Sequence, residues 1–310
     1  MHAESTAVAR FRALEVSPRV FRRLSFAAVG ALFVIVATGA TVRLTSSGLG
    51  CEHWPGCAPG HPFPEKNYHS YIEFSNRLVG GVTIVLTLLA WAASTRVRAL
   101  PRWAPRLALA VFVGTLLQAP LGALAVYVHL HPLAVIPHLL LSMAILGGAV
   151  VIALEAIGLE TGHVAPLVPD EVRRFAPFLA AAAFALVVSG TFATAAGPHS
   201  GGDRVTRFGR LDVMLVVHAG AVAVFGLGLV FGLGYLAARR AASPRLFRLA
   251  AGLVGLVVVQ MGLGELQYRT HLPWWLVLIH VSLAAAVWAS TVTLVTLVRR
   301  PLASLAPART

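Results

Sequence analysis

Apolar residues fall in eight long runs separated by short polar stretches, at roughly 24–43, 71–94, 104–128, 133–157, 175–196, 211–237, 246–268 and 273–298. Each run is long enough for a helix to cross a bilayer, which takes about 20 mostly apolar residues. The runs are continuous and do not alternate, so they do not read as strands of a membrane barrel. The first run is too long for a secretory-signal core and has no clear small-residue cleavage site, so it is expected to stay as a span. The pattern predicts an all-α integral membrane protein.

Composition agrees with that reading. Hydrophobic residues make up 57% of the chain and charged ones 12%, with a mean hydropathy of +0.79. The formal charge of +13 would suggest nucleic acid in a soluble protein, but here the basic residues lie between the apolar runs. That is the membrane pattern, so the expected surroundings are lipid, with no nucleic acid. With the N-terminus in the cytoplasm, 18 Lys and Arg fall on the inner side and 7 on the outer. The bias predicts a multi-pass cell-membrane protein with both termini cytoplasmic.

The second half of the chain repeats the first. A shift of 142 residues places Gln118 on Gln260, Gly122 on Gly264, His129 on His271, His138 on His280 and Asn76 on His218. Thr38-Gly39 meets Ser189-Gly190 at a larger offset, so the first outer loop is about nine residues longer than its partner. Histidine and glutamine are rare in membrane runs, so their coincidence carries the match. Four spans per half give both halves one orientation. The expected architecture is two parallel-repeat four-helix bundles related by a pseudo-two-fold axis along the membrane normal. The expected divisions are 1–23 (cytoplasmic segment), 24–157 (N-terminal half), 158–174 (linker), 175–298 (C-terminal half) and 299–310 (cytoplasmic tail).

Polar groups inside a bilayer are costly and mark function. Glu73 and Asn76 lie in the second run, His138 in the fourth, His218 in the sixth and His280 in the eighth. All sit a few residues past the outer start of their run, so they share one depth near the outer face. Imidazoles at matched depth on two helices of one bundle suit axial ligation of heme iron. His218 and His280 make such a pair. The first half has only His138, with Asn76 where a partner is expected. Taken singly, a membrane histidine is more often an interhelical hydrogen-bonding group; the repeat argues for ligation. Glu73 is either a proton acceptor beside a reacting group or the partner of Arg77 in a structural ion pair. Arg43, Arg204 and Arg207 can pair either porphyrin propionates or lipid headgroups. Of the other histidines in or near outer loops, His53, His61, His69, His129, His131, His199 and His271, most are expected to be solvated; His129 and His271, which share the repeat, are either loop caps or heme contacts. Cys51 and Cys57 share the first outer loop. On an oxidising side they read as a disulfide; free thiols or a metal pair are the other readings.

These residues resemble a known family, the heme A synthases. The likeness is carried by Thr41-Val-Arg-Leu-Thr-Ser-Ser-Gly-Leu-Gly-Cys-Glu-His-Trp-Pro-Gly-Cys57 and Ile72-Glu-Phe-Ser-Asn-Arg77. Gly197-Pro-His-Ser-Gly201 and the Gln260–His280 segment, with Leu272-Pro-Trp274, add to it. The resemblance implies an enzyme that oxidises the C8 methyl of heme O to a formyl group, making heme A for cytochrome c oxidase. It implies heme b on His218 and His280, and substrate heme O in the N-terminal half on His138, with Asn76 and Arg77 beside it. It implies a carboxylate needed for activity at Glu73 and a disulfide between Cys51 and Cys57. Many members have a second histidine where this chain has Asn76; the Glu-x-x-Asn-Arg form is a variant, in which water or Asn76 contacts the substrate iron or the iron is five-coordinate.

The chemistry of the substrate implies a heme O synthase as supplier. A diheme b-type cytochrome serving quinone is the competing class, and it predicts two six-coordinate hemes. A transporter fits poorly, because the polar residues lie near one face and the spans lack paired Gly/Pro breaks.

Overall fold

The computed structural model describes residues 15–51, 56–57, 60, 63–64, 67–199 and 207–306. Among the described residues there are eight α-helices: α1 (Pro18–Leu44), α2 (Tyr68–Ser94), α3 (Trp103–Tyr127), α4 (Pro132–Thr161), α5 (Asp170–Ala196), α6 (Leu211–Ala238), α7 (Pro244–Arg269) and α8 (Trp274–Arg299). All eight are long and apolar enough to cross a membrane. A short 3₁₀ turn, Ala303–Leu305, follows α8.

Most helices outrun the apolar stretches that predict them, because their ends are set by capping as well as hydropathy. Ser17 accepts from the Val20 N–H with Pro18 at the first turn, so α1 begins six residues before the apolar run and inside the expected N-terminal segment. Asn67 caps α2 through the His69 N–H. His131 caps α4 through Leu133 N–H, again with a proline next. The expected linker 158–174 shortens from both ends, since α4 runs on to Thr161 and α5 starts at Asp170. The φ of +80° at Gly162, a conformation that suits glycine, ends α4.

The helices close into two rings. In the first, α1 packs on α2 and α4, and α3 completes the circuit between α2 and α4. In the second, α5, α6, α7 and α8 repeat that arrangement. The rings meet where α4 packs on α8, flanked by α1 on α8 and α4 on α5. Exchanging α1 with α5 and α4 with α8 maps this seam onto itself, which is the expected pseudo-two-fold relation.

The seam is tightly made. Trp288 of α8, 8% exposed, donates Nε1 to the Met143 carbonyl of α4 at 2.7 Å. A side chain at Gly147 would meet the indole ring at 3.2 Å, so glycine is what lets the ring lie against α4. At the end where the even-numbered helices begin, Arg43 reaches across to the Thr194 carbonyl at 2.5 Å. At the opposite end, Arg300 pairs with the buried Glu155 at 3.2 Å, and His163 lies 3.4 Å from the same carboxylate. The chain after α8 is strapped to the loop after α4 by Val164 N–H to Pro301 O and Ala303 N–H to Gly162 O.

The turns α3–α4 and α7–α8 repeat in detail. His129 and Leu130 have φ of +52° and +57°, and His271 and Leu272 have +63° and +59°. Consecutive left-handed residues that are not glycine carry strain, and both turns hold it with the same bond, Leu130 N–H to Ala125 O and Leu272 N–H to Gln267 O, each 2.7 Å. His129 and His271 are exposed and serve the turn.

Candidate porphyrin site

Asn76, His138, His218 and His280 lie six to eight residues into α2, α4, α6 and α8. At 1.5 Å per residue that is about 9–12 Å along each helix. All four helices begin at the same end of the bundle, so the residues share one level.

Each half supports its polar residues with the same parts. Gln118 of α3 donates Nε2 to the His138 carbonyl at 3.1 Å, and Gln260 of α7 donates to the His280 carbonyl at 2.8 Å. The Gln118 contact meets α4 just after Pro137, where the helix lacks one N–H. Gly122 and Gly264 face the rings: a Cβ there would lie 3.7 Å from His138 Cε1 and 3.2 Å from His280 Cε1. Gly190 faces His218 Cε1 at 3.0 Å in the same way, and Gly39 faces Asn76 Oδ1 at 3.9 Å.

The ring nitrogens fit a porphyrin iron. Ser189 Oγ lies 2.9 Å from the Leu186 carbonyl and 2.9 Å from His218 Nδ1. With the hydroxyl proton on the Leu186 carbonyl, His218 Nδ1–H donates to Ser189. That leaves the lone pair on Nε2, the tautomer a metal ligand needs. His138 Nδ1 and His280 Nδ1 are buried without a hydrogen-bond partner, as are Gln118 Oε1 and Gln260 Oε1. Neither ring has its Nδ1 held by a hydroxyl as His218 has. His218 and His280 are close enough to interact electrostatically. Among the described residues no three His, Cys, Asp or Glu side chains converge as a metal-ion site.

In the first half, Thr38 takes the place of Ser189. Its Oγ1 donates to Asn76 Oδ1 at 2.7 Å. Glu73 is turned away toward the loop after α1. Its Oε2 accepts from the Cys51 N–H at 2.9 Å and its Oε1 from Arg77 Nη2 at 2.6 Å, while Arg77 Nη1 donates to the Gly56 carbonyl at 2.5 Å. The Glu73–Arg77 ion pair is therefore present, and it clamps the loop closed by the Cys51–Cys57 disulfide onto α2. The loop comes very close: a Cβ at Gly50 would fall 2.6 Å from the His69 backbone. Ser70 Oγ donates to Gly50 O at 2.5 Å and completes the clamp.

Arg43 spends one nitrogen on Thr194 across the seam, and its Nε is buried without a partner. His199, in the glycine–proline–histidine motif, donates Nε2 to the Leu272 carbonyl at 2.7 Å and so braces the α7–α8 turn. Arg207 is exposed, and His53, His61 and Arg204 lie outside the described residues. Sequence reasoning missed the hydroxyls as anchors, although the offset that sets Thr38 on Ser189 marks them. It also missed the Glu155–Arg300–His163 cluster, signalled by a lone acid late in an apolar run.

Comparison with known proteins narrows the identity of the site. Residues 22–198 match the COX15-CtaA family, described as cytochrome oxidase assembly protein. The heme A synthase of Bacillus pumilus is 36% identical over 151 residues, which is 47% of this chain and 49% of that protein. The heme A synthase of Shewanella oneidensis is 26% identical over 318 aligned positions, covering 84% of this chain and 91% of that protein. A protoheme IX farnesyltransferase of Thermus thermophilus is 32% identical over 288 positions, or 85% of this chain but 46% of that protein. The matched part thus spans about half the length of the first and the third of these relatives.

Proposed function

The chain belongs to this cytochrome oxidase assembly family, and from that premise we propose that it is a heme A synthase. It takes heme O and oxidises the C8 methyl group to a formyl group. The change removes four electrons, passed to an external oxidant, and adds one oxygen: two successive hydroxylations give a geminal diol, which loses water. The observation that carries this reading is the pairing of like frames around unlike residues, His218 with His280 in one half and Asn76 with His138 in the other. One half is equipped to hold a cofactor permanently. The other, with a single imidazole, is equipped to hold a porphyrin that must enter and leave.

The C-terminal half would hold heme b on His218 and His280, and that group when bound supplies electron relay. The N-terminal half would hold the substrate on His138, with Arg77 and Asn76 beside it. Glu73 handles protons there: its two oxygens rest on Arg77 and the Cys51 amide, and a proton arriving on it weakens both contacts. The positive-inside bias supports cytoplasmic termini and porphyrin sites near the outer face. The farnesyltransferase relative, under half of which resembles this chain, supports heme O synthase as the supplier.

The test is co-expression with a source of heme O, followed by mass analysis of the extracted hemes. Formylated farnesyl heme that depends on this chain is expected. Protoheme and unchanged heme O, with no formylated heme, would reject the synthase in favour of an electron-transfer cytochrome.

A further inference from the structure

We propose that Asn76 is not an iron ligand but a hydrogen-bond donor, which leaves one face of the N-terminal porphyrin open to a small exogenous ligand with an acceptor atom, of the class of dioxygen, carbon monoxide or cyanide. The inference rests on the porphyrin reading above and deepens it at one residue.

The argument starts from the repeat. Thr38 and Ser189 are equivalent, and each holds the residue at the equivalent position of the neighbouring helix. In the C-terminal half the hydroxyl takes the nitrogen that does not ligate, and so frees His218 Nε2 for iron. In the N-terminal half the same anchor takes Asn76 Oδ1 at 2.7 Å. That oxygen is the one atom of an asparagine side chain suited to a metal. The atom left over is the amide nitrogen, whose lone pair is delocalised into the carbonyl and which can only donate. One frame therefore presents an acceptor in one half and a donor in the other.

The amide orientation is supported by distance. A contact of 2.7 Å is the usual length for O–H···O and short for N–H···O. The competing acceptor for the Thr38 proton, the Ile35 carbonyl, is at 3.3 Å. In the C-terminal half the equivalent carbonyl, Leu186, is at 2.9 Å and receives the proton. The hydroxyl proton thus goes to a carbonyl in one half and to Asn76 in the other. A polar donor on the open side of a heme, opposite a single histidine, is what governs binding of small ligands at the iron.

The experiment uses the full chain in detergent, loaded with hemin, reduced and titrated with carbon monoxide. Two hemes per chain are expected, with one carbon monoxide bound. In Asn76→His, a second imidazole should abolish uptake while both hemes stay. In Asn76→Leu uptake should persist, the C–O stretch should rise, and cyanide affinity of the oxidised protein should fall about tenfold, the worth of one lost hydrogen bond. Thr38→Val frees the amide to rotate and should split the C–O band in two.

Wild-type protein with two hemes and no carbon monoxide uptake would overturn the proposal, because it would mean that Asn76 oxygen or another group fills the sixth position. That result leaves the synthase reading standing. A chain that takes up heme only at His218 and His280 overturns both the proposal and the porphyrin reading of the first half. An Asn76→Leu variant with wild-type C–O stretch and cyanide affinity overturns the donor role.

Discussion

Gln260 on α7 donates its side-chain amide to the backbone carbonyl of His280 on α8 at 2.8 Å, and Gln118 repeats the contact with His138. The glutamines reach past the imidazoles and grip the backbone that carries them. Each amide oxygen remains buried without a partner, as does Nδ1 of each histidine. By that grip each glutamine fixes the backbone position of its imidazole, an outer support for a ligating histidine.

Gln260→Leu should therefore loosen the heme of the C-terminal half. Removing such outer support costs about 10–100-fold in affinity at metal sites. The check is the ratio of Soret absorbance to protein after extended washing in detergent; Gln118→Leu should lower the N-terminal heme content and spare the other.

His218→Ala and His280→Ala should each remove the low-spin heme signal of the C-terminal half, read by electron paramagnetic resonance. His138→Ala should leave that signal unchanged and abolish porphyrin uptake in the first half. Loss of the low-spin signal in His138→Ala would mean that the pairing is wrong.

Glu73→Gln keeps the shape of the side chain and removes its charge. The contacts to Arg77 and the Cys51 amide lose their ionic partner, which weakens hydrogen bonds of roughly 1.5–3 kcal/mol each. Heme A yield should fall sharply while the C-terminal heme spectrum stays intact. Gly50→Ala should act on the same clamp from the other side, because its methyl collides with the His69 backbone and lifts the loop. Wild-type heme A yield in Glu73→Gln would remove the carboxylate from the reaction.

Trp288→Ala should lower the thermal midpoint without altering heme spectra. It empties the seam between α4 and α8 and removes the second donor on the Met143 carbonyl. Truncating a buried aromatic costs about 3–5 kcal/mol. The measurement is thermal unfolding of the purified protein followed by circular dichroism.

What the amino-acid order determined by itself is the set of spans, the duplication and the level of the polar residues. Lipid makes this legible: backbone groups in a bilayer must be satisfied within each helix, so every crossing announces itself as a long apolar run. The same order singled out His138, His218, His280, Asn76 and Glu73, because a polar side chain in such a run is costly. Which faces meet was left to the tertiary structure, since apolar helices gain little in lipid by choosing one apolar neighbour over another. Close packing and scattered hydrogen bonds made that choice. They set Trp288 against Gly147, turned Glu73 to the disulfide loop, sent Arg43 across the seam, and bound Asn76 by its oxygen to Thr38. Those contacts join residues far apart in the chain, and no local pattern encodes their direction.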